Sequence, residues 1–178
     1  MARADRVRRR GAPRPGGILE RPPLPPPDPA TLSAPAPDDV APEGVALHRM
    51  TMPVRWGDMD ALGHVNNIMY FRYFEQARIA WYEGAGFAPL GTGDTGMVIV
   101  DNRAEYLRPI VYPAAMEIRM GGHSPGRSSF ATTYTIAVDG TLCTRGGSKI
   151  VWIDRATGRS VPLPEALRER LAAGADGT

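Results

Sequence analysis

The chain is predicted to fold as an α+β domain of two layers, a curved antiparallel sheet wrapped around one long helix. Three observations carry this. Residues 68–82 are apolar around most of a helical circumference, and a helix of that kind must be enclosed. Four runs with alternating character follow it, joined by short connections. With 178 residues and 43% apolar content, the chain has material for one core of ordinary size.

Residues 1–44 hold 11 of the 18 prolines and no aromatic residue, so they bury too little surface to offset the entropy of ordering. They are expected to form a disordered, dispensable tail; the Pro22 to Pro25 spacing offers at most a weak ligand for a proline-binding module. The folded domain is placed at 45–173, with 174–178 as a frayed end. It opens with a strand over 48–56, whose Met50, Met52, Val54 and Trp56 share the buried side. Pro53 there marks an edge or a bulge. The helix spans 67–83, with Asn66 or Asn67 as cap, Gly84-Ala85-Gly86 as stop, and Arg72, Gln76 and Glu83 as a thin polar stripe. Strands follow at 97–107, 115–122, 128–138 and 142–153, and Asp139-Gly140 has the composition of a two-residue hairpin. Short links imply that these four strands form a meander in chain order. A last helix opens at Pro164-Glu165, with Leu163, Ala166, Leu167 and Leu171 on one side.

Charge and composition exclude several classes. Residues 1–21 carry seven arginines against Asp5 and Glu20, so the alkaline balance belongs to the tail, and the body is mildly acidic. No nucleic-acid partner is indicated. No run approaches the ~18 apolar residues of a membrane span, and the basic start leads into proline and glycine instead of an apolar signal core. Cys143 is alone, which suits a reducing compartment; a cytoplasmic location is expected. His48, His64, His123 and Cys143 are too scattered for a zinc set, and no metal is implied. Asp58, Asp60 and Gly63 occupy three positions of a calcium loop, but Leu62 and Met69 stand where oxygen ligands are needed. Gly122-His123-Ser124-Pro125-Gly126 matches a nucleophile-elbow pattern, yet a strand follows it and no histidine comes later, so it reads as a hairpin turn.

What remains is Asp58, Asp60, His64, Asn66 and Asn67 at the mouth of the apolar helix. A helix start presents free N–H groups that polarise a carbonyl and hold a developing oxyanion. A carboxylate on the preceding loop can attack that carbonyl or deprotonate a water that does. Together they suit acyl transfer to water. Each residue alone is an ordinary turn former or cap, and only their joint occurrence marks a candidate site.

The pattern Arg55-Trp56-x-Asp58-x-Asp60-x-x-Gly63-His64-Val65-Asn66-Asn67-x-x-Tyr70-x-x-Tyr73-x-Glu75-x-x-Arg78 resembles the signature of hotdog-fold acyl-CoA thioesterases of the 4-hydroxybenzoyl-CoA thioesterase type. The likeness extends to Tyr106-Leu107-Arg108-Pro109-Ile110, Gly126-Arg127-Ser128-Ser129 and Val151-Trp152-Ile153-Asp154, and covers roughly residues 47–171. The resemblance implies a hotdog fold and a homodimer or dimer of dimers with sites at the subunit interface. It also implies hydrolysis of acyl-CoA without metal or cofactor, coenzyme A entering only as part of the substrate. Carried over, Asp60 is nucleophile or general base, and the Asn67 N–H polarises the thioester carbonyl. Tyr70, Arg127, Ser128 and Ser129 fall on the substrate side, the last three toward the nucleotide. Leu62 stands where related acyl-carrier-protein thioesterases have Asn, which leaves His64 as an orienting partner or as structure. A branch with its carboxylate on the helix would point to Glu75, but Glu75 and Arg78 are spaced to form an ion pair. Two other readings stand beside hydrolysis. Product analysis with enoyl-CoA separates it from a hydratase or dehydratase, and binding without thiol release from a non-catalytic acyl-thioester module.

Overall fold

The computed structural model describes residues 40–88 and 91–173. In chain order it sets β1 (Val45–Pro53), α1 (Asn67–Gly84), β2 (Thr95–Tyr106), β3 (Ala115–His123), β4 (Ser129–Val138), β5 (Thr141–Asp154) and α2 (Glu165–Ala173). The strands form one sheet in the order β1-β3-β4-β5-β2, every neighbour antiparallel. Alternation aims Ile118 and Met120 of β3, Phe130, Tyr134 and Ile136 of β4, and Ile150 and Trp152 of β5 at α1. The helix answers with Tyr70, Tyr73, Phe74, Ala77, Trp81 and Tyr82, all buried. Phe74 stacks on Tyr134 with ring centres 4.5 Å apart. Gly146 makes room for that stack, since a Cβ there would lie 2.3 Å from Phe74 Cζ. This is the hotdog arrangement, a sheet around one long helix, with Leu163, Leu167 and Leu171 adding the last apolar layer.

Three expectations need correction. The four strands after α1 are not a meander: only β3, β4 and β5 follow in order, while β2 lies at the far edge beside β5. The eight residues between β2 and β3 reach about 25 Å when extended, and crossing β5 and β4 takes only about 14 Å, so a short link does not compel adjacency. Its hydrogen bonds trace the crossing. Leu107 and Arg108 N–H donate to Cys143 O, Ile110 O accepts from Val65 N–H, and Ala114 O accepts from Val54 N–H. Trp56 is not on the buried side but 75% exposed, because β1 ends at Pro53 and Trp56 starts a single 3-10 turn (Trp56–Asp58). Glu75 pairs with Arg72 (2.9 Å) instead of Arg78. Arg78 turns inward, buried, and donates to Tyr134 Oη at 3.2 Å and Ser148 Oγ at 3.5 Å.

Most of the proline-rich segment lies outside the described residues, but residues 40–44 run along the outer face of the sheet. The buried Thr135 and Thr133 hydroxyls donate to Val40 O (2.6 Å) and Glu43 O (2.7 Å), and Val40 packs against Ala137 and Leu142. The Asp139-Gly140 hairpin forms as expected, both residues at positive φ, and Gly126 N–H to Ser129 O closes the turn that the nucleophile-elbow pattern imitates. No helix among the described residues is long and apolar enough to cross a membrane.

Candidate active site

The loop between β1 and α1 is a miniature ladder. Asp60 N–H donates to His64 O (3.1 Å), Met59 bridges Val65, and Asn66 N–H donates to Asp58 O (2.9 Å). The turn closes with Gly63 N–H to Asp60 O at 3.0 Å, and Gly63 stands at φ +83°, which only glycine adopts freely. Asp60 Oδ1 accepts from Leu62 N–H at 2.8 Å, an Asx turn that fixes the carboxylate. Its other oxygen has no partner among the described residues, and the side chain is half-buried. His64 Nδ1 lies 3.2 Å from Val65 O. A carbonyl only accepts, so Nδ1 is the donor in this contact.

Asn66 caps α1, its side-chain oxygen accepting from Ile68 N–H at 3.0 Å, and its carbonyl accepts from Met69 N–H. Among the described residues nothing accepts from Asn67 N–H, which is left open at the helix start. The Asn67 carbonyl is held by the Tyr106 hydroxyl (3.0 Å) from the end of β2. Tyr70, one turn on, is 2% exposed and packs edge-on against Tyr106 with ring centres 4.9 Å apart. Burial pushes its hydroxyl up to about 12. Tyr70 thus supports the mouth from inside the core.

Asp60, His64, Asn67 and Tyr70 come together, then, at the start of α1. Arg127, Ser128 and Ser129 do not join them. They form the β3–β4 turn, pinned by Leu163 N–H to Arg127 O and Trp152 N–H to Ser128 O. That turn lies at the other end of the helix, where Trp81 meets Phe130 and Tyr82 meets Trp152. An 18-residue helix is about 27 Å long, so within one chain the two groups are far apart. Sequence reasoning missed Tyr106, Ile110 and Tyr73. All three stand in the stretches that carry the resemblance, but nothing in their spacing tells which backbone or carboxylate each will reach. Among the described residues, surface clefts of about 290–510 Å³ lie elsewhere on the sheet and its edges, lined by other residues than Asp60, His64 and Asn67. No group of three or more His, Cys, Asp or Glu side chains among the described residues gathers as a metal site.

A sheet around one buried helix is the hotdog fold, and the family match places this chain among the thioester hydrolases that use it. The family model of the thioesterase-like superfamily matches residues 54–171, and the chain belongs to that family. Among solved structures it is similar to the PA2801 protein of Pseudomonas aeruginosa, at 37% identity, covering 70% of this chain and 97% of that one with a TM-score of 0.66. It is also similar to a thioesterase from Thermus thermophilus solved with coenzyme A and zinc, at 34% identity, covering 74% and 95% with a TM-score of 0.63. A third relative, the uncharacterised YsmA of Bacillus subtilis, is 26% identical over 66% of this chain and 80% of its own length.

Proposed function

We propose that the protein hydrolyses acyl-CoA thioesters to the free acid and coenzyme A. The observation that carries this is the pairing, at one helix mouth, of a fixed carboxylate with one oxygen unpartnered and a backbone N–H with nothing to donate to. The thioester carbonyl oxygen accepts from Asn67 N–H, which draws electrons from the carbonyl carbon. Asp60 then attacks that carbon or takes a proton from the water that does. On the first route the C–S bond breaks to leave an acyl anhydride on Asp60, which a water then hydrolyses to regenerate the carboxylate; on the second the water adds directly and the C–S bond breaks. On both, water supplies the second oxygen of the free acid, and the sulfur leaves as thiolate and takes up a proton. His64, held by its Nδ1 contact with Val65 O, is the orienting partner on this loop. The coenzyme A found in the Thermus thermophilus relative supports this substrate class.

The nucleotide end of coenzyme A is assigned to Arg127, Ser128 and Ser129. Since these lie at the far end of α1 from Asp60, the site is completed by a second copy of the chain, a homodimer or a dimer of dimers. The edge strand β2, with Val98 and Val100 exposed, offers the pairing surface. The lone Cys143, free and buried, suits action in the cytoplasm.

Asp60→Asn tests the reading directly. It should keep the parent's circular dichroism and melting temperature and lose at least about 100-fold in thiol release from a panel of acyl-CoA esters. Parental rates in this variant would remove Asp60 from the mechanism.

A further inference from the structure

Asp58 joins three parts of the chain that must stay in register for the helix mouth to work. Its Oδ2 accepts from Arg55 N–H (2.9 Å), just past the end of β1. The same oxygen accepts from the Tyr73 hydroxyl (2.9 Å), well inside α1. Its backbone carbonyl accepts from Asn66 N–H, the helix cap, at 2.9 Å. Asp58 is 4% exposed and Tyr73 2%, so water does not replace these bonds, and losing one strands a buried polar group. Asp60 follows Asp58 by two residues, and Asn67 follows Asn66 by one. The ladder bonds hold the loop to itself and to the link at Ile110, whereas the Tyr73 hydroxyl ties it to the body of the helix.

We infer that Asp58 and Tyr73 are positioning residues for thioester hydrolysis: the Tyr73 hydroxyl, through the Asp58 oxygen, sets the spacing between the Asp60 carboxylate and the Asn67 N–H. This rests on the assignment of Asp60 and Asn67 proposed above. Both donors land on Oδ2, so residue 58 must supply one well-placed acceptor oxygen, and its charge is secondary. Burial, then the bond to Asp58, raises the Tyr73 hydroxyl well above its ordinary value, which keeps it a donor at any working pH.

Tyr73→Phe, Asp58→Ala and Asp58→Asn, compared with the parent on acyl-CoA esters, test this. Tyr73→Phe and Asp58→Ala should lower kcat about 10- to 100-fold with KM within about two-fold of the parent. Asp58→Asn, whose carboxamide oxygen can take both donors, should recover most of what Asp58→Ala loses. Parental kcat in Tyr73→Phe, or no recovery in Asp58→Asn, overturns the inference. Amide hydrogen exchange reads the same geometry without turnover: Tyr73→Phe should speed exchange over residues 59–67 and leave β3 and β4 as they were. Unchanged exchange over 59–67 overturns the positioning role whatever the activity. Faster exchange there in a chain that hydrolyses no thioester upholds the role while defeating the hydrolase reading.

Discussion

Tyr70 and Tyr73 keep their protons in the folded protein at pH values where an unfolded tyrosine, near 10, has lost its own; burial is the main cause for both. Unfolding above pH 10 therefore releases protons, and rising pH favours it: the stability is full below pH 10 and declines from there toward about 12. Urea midpoints measured between pH 9 and 11 should fall in the parent, and Tyr70→Phe should flatten the slope. Gly146 gives a second test at this scale. Its missing Cβ is filled by the Phe74 ring, so Gly146→Ala should cost about 1–3 kcal/mol in urea unfolding, with the sheet signal retained. A midpoint equal to the parent's would show that Phe74 can move aside. Asp60 and Asn67 were legible as candidates because carboxylate and helix start lie close in sequence. Arg78 was not: on a helix, i and i+3 spacing allows Glu75 to reach either arginine, and only the sheet's Tyr134 and Ser148 decide that Arg78 turns inward.

Each strand and both α-helices were visible as a period in the chain, with borders moved by only a few residues, whereas the 3-10 turn at Trp56–Asp58 was hidden inside the period of the first strand. The order of strands in the sheet was not visible, since it depends on which edge an extended link reaches and the link's composition does not say. Nor did the proline-rich composition of the N-terminal segment disclose that its last residues lie on the sheet. Their anchors, Thr133 and Thr135, sit some ninety residues away and look like ordinary strand threonines. Val40→Asp should detach this segment from the outer face instead of burying a charge. The loss is then limited to what docking one buried valine contributes, at most about 2 kcal/mol. Limited proteolysis should cut near residues 40–44 sooner in this variant, while the rates in the helix mouth stay parental. Simultaneous loss of activity would mean that the segment reaches further into the fold than its contacts indicate.

At the scale of the whole molecule, the separation of Asp60 from Arg127 makes a prediction about mixtures. Arg127→Ala should raise KM for acyl-CoA several-fold and leave hydrolysis of a short thioester without a nucleotide almost unchanged. In the proposed two-copy site, a co-expressed mixture of Asp60→Asn and Arg127→Ala chains then contains sites that draw Asp60 and Arg127 from the intact positions of different subunits. Such a mixture should recover part of the parental acyl-CoA activity at low substrate, more than the two variants summed when assayed apart. A strictly additive result would place both groups in one chain's site.

Residues 107–114 run from the end of the edge strand to the underside of the helix mouth, where Ile110 holds Val65. A single covalent segment thus joins the edge strand, where the proposed second copy would seat, to the loop that carries Asp60. Movement of β2 on losing its neighbour would be passed to Val65 within a few residues. In the proposed two-copy assembly, specific activity should therefore fall on dilution, at the concentration at which sedimentation shows dimer giving way to monomer; a chain that sediments as monomer at every concentration would remove the two-copy site.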